Sequence, residues 1–349
     1  NLGAMVSTIL TPILLQKVGP AAAFGLPGVL MAIATLLFWM GRHKFVHVPA
    51  AGWAKFKAET FGPEGRRALL NLSPLFLIFV PVFWAIFDQT GSAWVLQAES
   101  MDRNFLGFTW LESQVQAVNP FFILVLIPVF TYVIYPTISK IYPLTPLRKI
   151  GIGFVLTAAT FALSAIIELW IADRSSAAMT QLWAAMNADG EMPNRLSDMV
   201  RQARNMGWTQ EQLTPFLAEM PNISWQFVAY LILTSAEIMV SIVCLEFAYT
   251  QSPPRMKSFV MGVYFLGVSL GNFYVSGVNI TMEAMKDEAT GATPLDGANY
   301  YWFFAGLMMA AFFVYLIWAK TYKGETYIQG EEEEKLVEAQ AEAQAPDAR

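Results

Sequence analysis

Apolar positions in this chain come in long unbroken runs, not in the short periods of a soluble fold. A helix needs about 20 apolar residues to cross the hydrocarbon layer. Runs of that kind lie near 24–41, 71–95, 115–137, 146–172, 225–249, 256–281 and 298–320, with a shorter one near 1–16. They predict an all-α polytopic membrane protein with eight spans, the first of them clipped at its start. Most connections between runs are short and polar. The longest, 173–224, contains Met199, Val200, Trp208 and Leu213 at spacings that predict weak amphipathic turns. It reads either as a small helical cap or as an ordinary tethered loop. After Gly330 the acidic, Ala-rich segment EEEEKLVEAQAEAQAPDAR predicts a frayed helix or a disordered tail.

Charge sorts the connections onto two sides. Loop 42–68 carries Arg42, Lys44, Lys55, Lys57, Arg66 and Arg67, and 138–149 carries Lys140, Arg148 and Lys149. Arg255 and Lys257, then Lys320 and Lys323, fall on the same side. The opposite loops hold Asp102, Glu112, Glu283, Asp287, Glu288 and Asp296. Basic loops stay inside, so the C-terminus is expected in the cytoplasm and the 173–224 connection outside it. The expected location is an inner membrane.

Composition agrees. The 349 residues are 55% hydrophobic and 14% charged, against about 25% charge in a soluble domain. Cys244 is the only cysteine, which rules out a disulfide within the chain. His43 and His47 share one loop, so no histidine metal site is expected. No glycine-rich nucleotide loop, metal-ligand spacing or nucleophile–base motif is present. No enzyme chemistry, catalytic residue, cofactor or nucleic-acid partner is therefore expected. The basic 42–68 loop is a candidate for contact with lipid headgroups. The chain opens as NLGAM, inside an apparent helix and without an initial Met. It is therefore expected to be the later part of a longer protein.

Two apolar runs carry an acid in their interior: Asp88 in FWAIFDQTGSAW and Glu237 in LTSAEIMVSIVCLEFAYT. Placing such a charge in hydrocarbon costs about 2.5–3.5 kcal/mol even on the mild insertion scale. Paired intramembrane acids point to a polar path through a helix bundle. Trp84 and Asp88, four apart, share a helix face. Pro81 is expected to bend that helix, while Gly91 and Ser92 allow close contact or local opening. Asp88 suits proton coupling or charge pairing; otherwise it is a hydrogen-bonded structural acid near the outer surface. Glu237 suits a substrate or proton role, with Ser241 on its face four residues later; otherwise it is a packing acid in a static core. Glu246, near Tyr249, Arg255 and Lys257, reads as a gate or a structural salt bridge. Asn119, ahead of Pro120, either meets a peptide-like ligand or caps a helix. Pro128 interrupts the same run, and an unwound helix there would free carbonyls. Tyr264 and Phe83 are weaker candidates for lining a cavity. Asn272, after Gly271, is placed to bond across helices.

These stretches resemble the proton-dependent oligopeptide transporter family of the major facilitator superfamily. VFWAIFDQTGSAWVLQAESMDR (82–103) resembles its seventh-helix signature, and EIMVSIVCLEFAYTQSPPRMKS (237–258) its tenth-helix motif. NLGA, VNPFFILVLIP (118–128) and PLRKIGIG (146–153) match as well. The resemblance covers about residues 1–325. It implies a partial major facilitator fold, helices five to twelve. Residues 1–41 would close the N-terminal bundle and 42–70 form a cytoplasmic linker. Residues 71–325 would form a six-helix C-terminal bundle with the 173–224 insert, and 326–349 the tail. The two extra membrane helices found between the halves of many bacterial members are not expected. The insert is far shorter than the extracellular domain of the animal members.

By the same resemblance, Glu237 would hold a peptide ammonium and Asn119 its backbone. Trp84 and Tyr264 would shape side-chain pockets; Phe83 and Ser241 are substrate-site candidates on their positions alone. Asp88 would pair with a cation and sense protonation. The implied activity is proton-coupled symport of di- and tripeptides, with the proton as coupling ion and the complete protein monomeric. It would require the first four helices, which are expected to carry the rest of the cavity. The alternatives are transport of another small solute, such as nitrate or a peptide-like drug, and a non-transporting membrane scaffold.

Overall fold

The computed structural model describes residues 1–45, 52–188, 190–253, 256–287 and 292–323. Helices α1 (Leu2–Lys17) and α2 (Pro20–Met40) come first, then the short α3 (Trp53–Phe61). The membrane-length helices that follow are α4 (Pro63–Glu99), α5 (Gln114–Ser139) and α6 (Pro146–Met186). Two short helices, α7 (Leu196–Asn205) and α8 (Gln210–Leu217), precede α9 (Ser224–Thr250), α10 (Lys257–Ala284) and α11 (Ala298–Thr321). Among the described residues, α2, α4, α5, α6, α9, α10 and α11 are long and apolar enough to span a bilayer.

Helix α6 is the axis of the larger core. Thr145 caps it by accepting from Arg148 N at 3.4 Å, and Pro146 occupies its first turn, where a missing N–H costs nothing. Its Ile150, Phe154, Phe161 and Ala165 are wholly buried against α9 and α11. Tyr315 of α11 locks the pair by donating to Leu147 O at 2.7 Å. Helices α1 and α2 stand apart from this core; α2 buries only Ala23. Helix α1 is tied to the start of α5, where Gln114 Nε2 donates to Ile9 O at 3.2 Å.

Two expected boundaries are corrected. The run 146–172 belongs to a helix that continues to Met186, about 62 Å at 1.5 Å per residue. Apolarity ends where the bilayer ends, but Asp173–Met186 contains no Gly or Pro to stop the helix. It stops where Asn187 takes a left-handed φ of 46°. The segment 42–70 likewise holds α3 and the first turns of α4. The tail 326–349 lies outside the described residues.

Residues 173–224 build a small helical subdomain. Met199, Val200, Ala203 and Leu213 are fully buried with Leu182 of α6, in a cluster separate from the main core. Thr209 and Gln212 close a reciprocal cap at the start of α8. The subdomain is fastened to the end of α4 by charge. Arg103, 2% exposed, pairs with Glu112 and also donates to Gln210. Arg204 of α7 reaches Glu112 at 2.7 Å, and Arg201 reaches Glu99 at 3.2 Å. Burial pulls the Arg103 guanidinium down to about 10, against the pull of Glu112. Burial pushes Glu112 upward, but Arg103 and Arg204 more than offset it and hold the carboxyl below its ordinary range. Between α4 and α5 a tight hairpin pairs Asn104 with Thr109 and Phe105 with Phe108. Its turn residues Leu106 and Gly107 both have positive φ, as the twist of a two-residue hairpin demands.

Candidate functional site

The candidate residues gather where the helices depart from regular α geometry. In α4 a wide π turn, Leu75–Phe79, precedes Pro81, and a 3-10 turn, Asp88–Gly91, begins at the acid itself. Helix α5 opens with a 3-10 turn, Gln114–Ala117, just before Asn119. Helix α9 widens at Ile238–Ile242, immediately after Glu237. Such turns re-aim side chains and are frequent at functional sites.

Glu237 and Asn119 are joined across α9 and α5: Asn119 Nδ2 donates to Glu237 Oε2 at 2.8 Å. The same nitrogen donates to Thr234 Oγ1 at 3.0 Å. A second chain links three helices. Trp84 Nε1 of α4 donates to the Tyr264 hydroxyl of α10 at 3.3 Å, and that hydroxyl lies 3.3 Å from Ser241 Oγ of α9. Glu237, Asn119, Trp84, Ser241 and Tyr264 therefore form two hydrogen-bonded groups that share α9 and bridge it to α4, α5 and α10.

Asp88 differs from expectation. Its partner is Asn272, whose Nδ2 donates to Oδ2 at 2.6 Å; among the described residues it has no cation within ion-pair reach. Glycine is the reason. A Cβ on Gly271 would lie 2.5 Å from Pro81 O, and one on Gly267 would meet Phe76 O. Helices α4 and α10 thus touch backbone to backbone, which brings Asn272 to the acid. Gly91, in contrast, mediates no close helix contact: a Cβ there would meet only Gln116 Oε1, at 3.7 Å.

Phe83 is a further correction. It is 0% exposed, with its ring against Trp84 and Phe87, and belongs to the core instead of a cavity wall. One position along a helix turns a side chain by about 100°, so the neighbour of Trp84 faces the core. Tyr264 is also buried, its ring edge-on to Phe76; only its hydroxyl joins these hydrogen bonds. Glu246 is exposed, nine positions beyond Glu237. Lys257 Nζ sits over the Tyr249 ring at 3.9 Å, and Arg255 lies outside the described residues. Among the described residues no ion pair holds Glu246.

Thr234 is the residue that the sequence reading missed. It lies three before Glu237, a spacing that puts both on one helix face. The segment LTSAE carries that spacing. Among the described residues, no group of three His, Cys, Asp or Glu side chains is arranged to hold a metal ion.

The POT family (PTR2) sequence profile matches residues 1–58 and 50–303. The chain belongs to the POT family. Peptide transporter 3 of Caenorhabditis elegans is 37% identical over 211 residues, covering 48% of this chain and 30% of that protein. Human solute carrier family 15 member 2 is 32% identical over 216 residues, 51% of this chain and 30% of the relative. The chain thus spans about 30% of the length of these relatives. A solved auto-inhibited POT family peptide transporter superposes with a TM-score of 0.68 at 25% identity, over 94% of this chain and 70% of the other. The POT transporter PepTSo gives 0.64 at 25%, over 92% and 69%. The chain is thus an all-α, multi-pass membrane protein with part of the major facilitator fold of POT transporters.

Proposed function

We propose that the full-length protein, comprising this chain and an N-terminal bundle, imports di- and tripeptides together with protons by alternating access. The observation that carries this is the Glu237–Asn119 pair, held between α9 and α5 inside a POT-family bundle. A membrane carboxylate beside an amide suits a substrate that brings both an ammonium and peptide N–H groups. Glu237 takes the ammonium and Asn119 the peptide backbone. Trp84 walls the site, steadied by its bond to Tyr264. Names of matched relatives, peptide transporters among them, support the same substrate class.

Asp88 is the coupling acid in this reading. A carboxylate accepts strongly from an amide, and protonation weakens that acceptance. Proton binding therefore loosens the Asp88–Asn272 tie and biases the equilibrium between open states. The basic loops and C-terminus face the cytoplasm, with anionic lipid at the 42–68 segment, and the transporter works as a monomer in the inner membrane.

The test is uptake of labelled Ala-Ala by proteoliposomes holding the full-length protein, with and without an inward proton gradient. Gradient-stimulated uptake is expected, with E237Q raising KM at least tenfold, about 1.4 kcal/mol of lost charge pairing. Unchanged affinity and uptake in E237Q would remove Glu237 from the site.

A further inference from the structure

The geometry assigns Thr234 as the positioning residue that keeps Asn119 turned as a hydrogen-bond acceptor toward peptide substrates. This rests on the peptide reading above. Asn119 has two N–H donors on Nδ2, and both are taken: one by Thr234 Oγ1 at 3.0 Å, one by Glu237 Oε2 at 2.8 Å. What the side chain has left is Oδ1, an acceptor. That oxygen is not among the buried unpartnered atoms, and Asn119 is only half-buried. The site therefore offers an acceptor from Asn119 beside a carboxylate from Glu237. A peptide N–H satisfies the first, and an ammonium the second.

The two anchors of Asn119 are not equivalent. Glu237 is the group that the substrate's ammonium engages, so its hold on Asn119 weakens as substrate arrives. Thr234 is 0% exposed and is not reached by substrate. It is the anchor that persists in the loaded state. An amide rotates about χ2 in a broad, roughly two-fold well. Without the Thr234 hydroxyl, the loaded site has nothing to keep Oδ1 in place. The amide can then turn and present Nδ2, which meets an ester oxygen or carbonyl as readily as Oδ1 meets an N–H. Thr234 thus sets the preference for a peptide N–H over an isosteric ester.

The experiment measures affinities of purified full-length protein for Ala-Ala and for its ester isostere alanyl-lactate, in which oxygen replaces the peptide N–H. Wild type is expected to favour the amide by about tenfold, the effect of one buried hydrogen bond left unmade. T234V, close in shape, is expected to bring the ratio near one; T234S, which restores the hydroxyl, is expected to return it to the wild-type value. N119A is expected to match T234V. A merely structural defect in T234V would weaken both ligands in parallel and leave the ratio unchanged, which would overturn the assignment. A wild-type ratio of one would overturn it too. If folded wild-type protein binds neither ligand, the peptide reading itself fails, and the positioning role with it.

Discussion

Gly271→Ala is the sharpest perturbation of the α4–α10 contact. The added Cβ would stand 2.5 Å from Pro81 O and 2.9 Å from Ala85 N. A carbon–oxygen contact settles near about 3.3 Å, so the helices must part by about 0.8 Å. Both obstacles are backbone and cannot rotate away. Overpacking of this kind costs about 1–3 kcal/mol. The same retreat stretches the Asn272–Asp88 bond, now 2.6 Å, to about 3.4 Å, the edge of useful geometry. Gly277 is the control. It lies on the same helix with nothing within 4 Å of an added Cβ. G277A is expected to be neutral or stabilising, by up to about 1 kcal/mol of helix propensity. Thermal unfolding in detergent, followed by tryptophan fluorescence, compares the two. G271A should melt several degrees lower and G277A should not. A cycle with N272A adds a second check. Because G271A already strains the Asn272 bond, N272A should cost about 1 kcal/mol less in that background than in wild type. Equal melting of G271A and G277A would refute the close-contact account. Equal cost of N272A in both backgrounds would refute its link to Asp88.

The insert supports two more expectations. Arg103 and Arg204 hold Glu112 below its ordinary range, so its stabilisation is complete above the ordinary carboxylate pKa and lost as pH falls through the lower, folded value. Hydrogen exchange of Leu196–Leu217 should therefore quicken on acidification, and E112Q should show fast exchange already at neutral pH, by a loss of about 2–3 kcal/mol for bonds to charged groups; a pH response unchanged by E112Q would discard this account. Leu213 is 0% exposed in a cluster separate from the main core. L213A should cost the insert about 2–5 kcal/mol and leave protection of α6 below Ile171 intact; loss spreading through α6 would mean the two cores fold as one.

Spans were legible because apolarity is a property of each segment by itself. The runs at 225–249 and 298–320 match α9 and α11 to within a residue at either end. Helix length was not legible, because Asp173–Met186 is polar enough to leave the membrane yet contains nothing that breaks a helix. In the insert, Leu196, Met199, Val200 and Ala203 keep a helical spacing that is legible in the sequence, but their burial against Leu182 of α6 is not, because it depends on α6 continuing beyond the apolar run. Similarly, Phe83 and Trp84 are adjacent aromatics with no local sign of which one faces the core. The backbone contact at Gly271 separated them.

Asp88, Asn119 and Glu237 each stand at a change of helical geometry, and the sequence explains only part of this. Pro81 and Pro120 remove N–H donors nearby, which favours irregular turns in α4 and α5. Helix α9 has no proline between Ser224 and Thr250, yet it widens at Ile238–Ile242. The run Ile238-Met239-Val240 is buried on successive positions: Ile238 and Met239 cluster with Ile123 and Phe130 of α5, and Met239 and Val240 lie against Gly153 of α6. The wide turn changes the rotation between Glu237 and the side chains that follow it. The added residue in the turn reconciles packing below Glu237 with the polar contact above it. Thr234 and Glu237 sit on one face of α9 and both accept from Asn119; an acid in an apolar run stands out in the sequence by itself, whereas the role of Thr234 depends on α5 bringing Asn119 across to it.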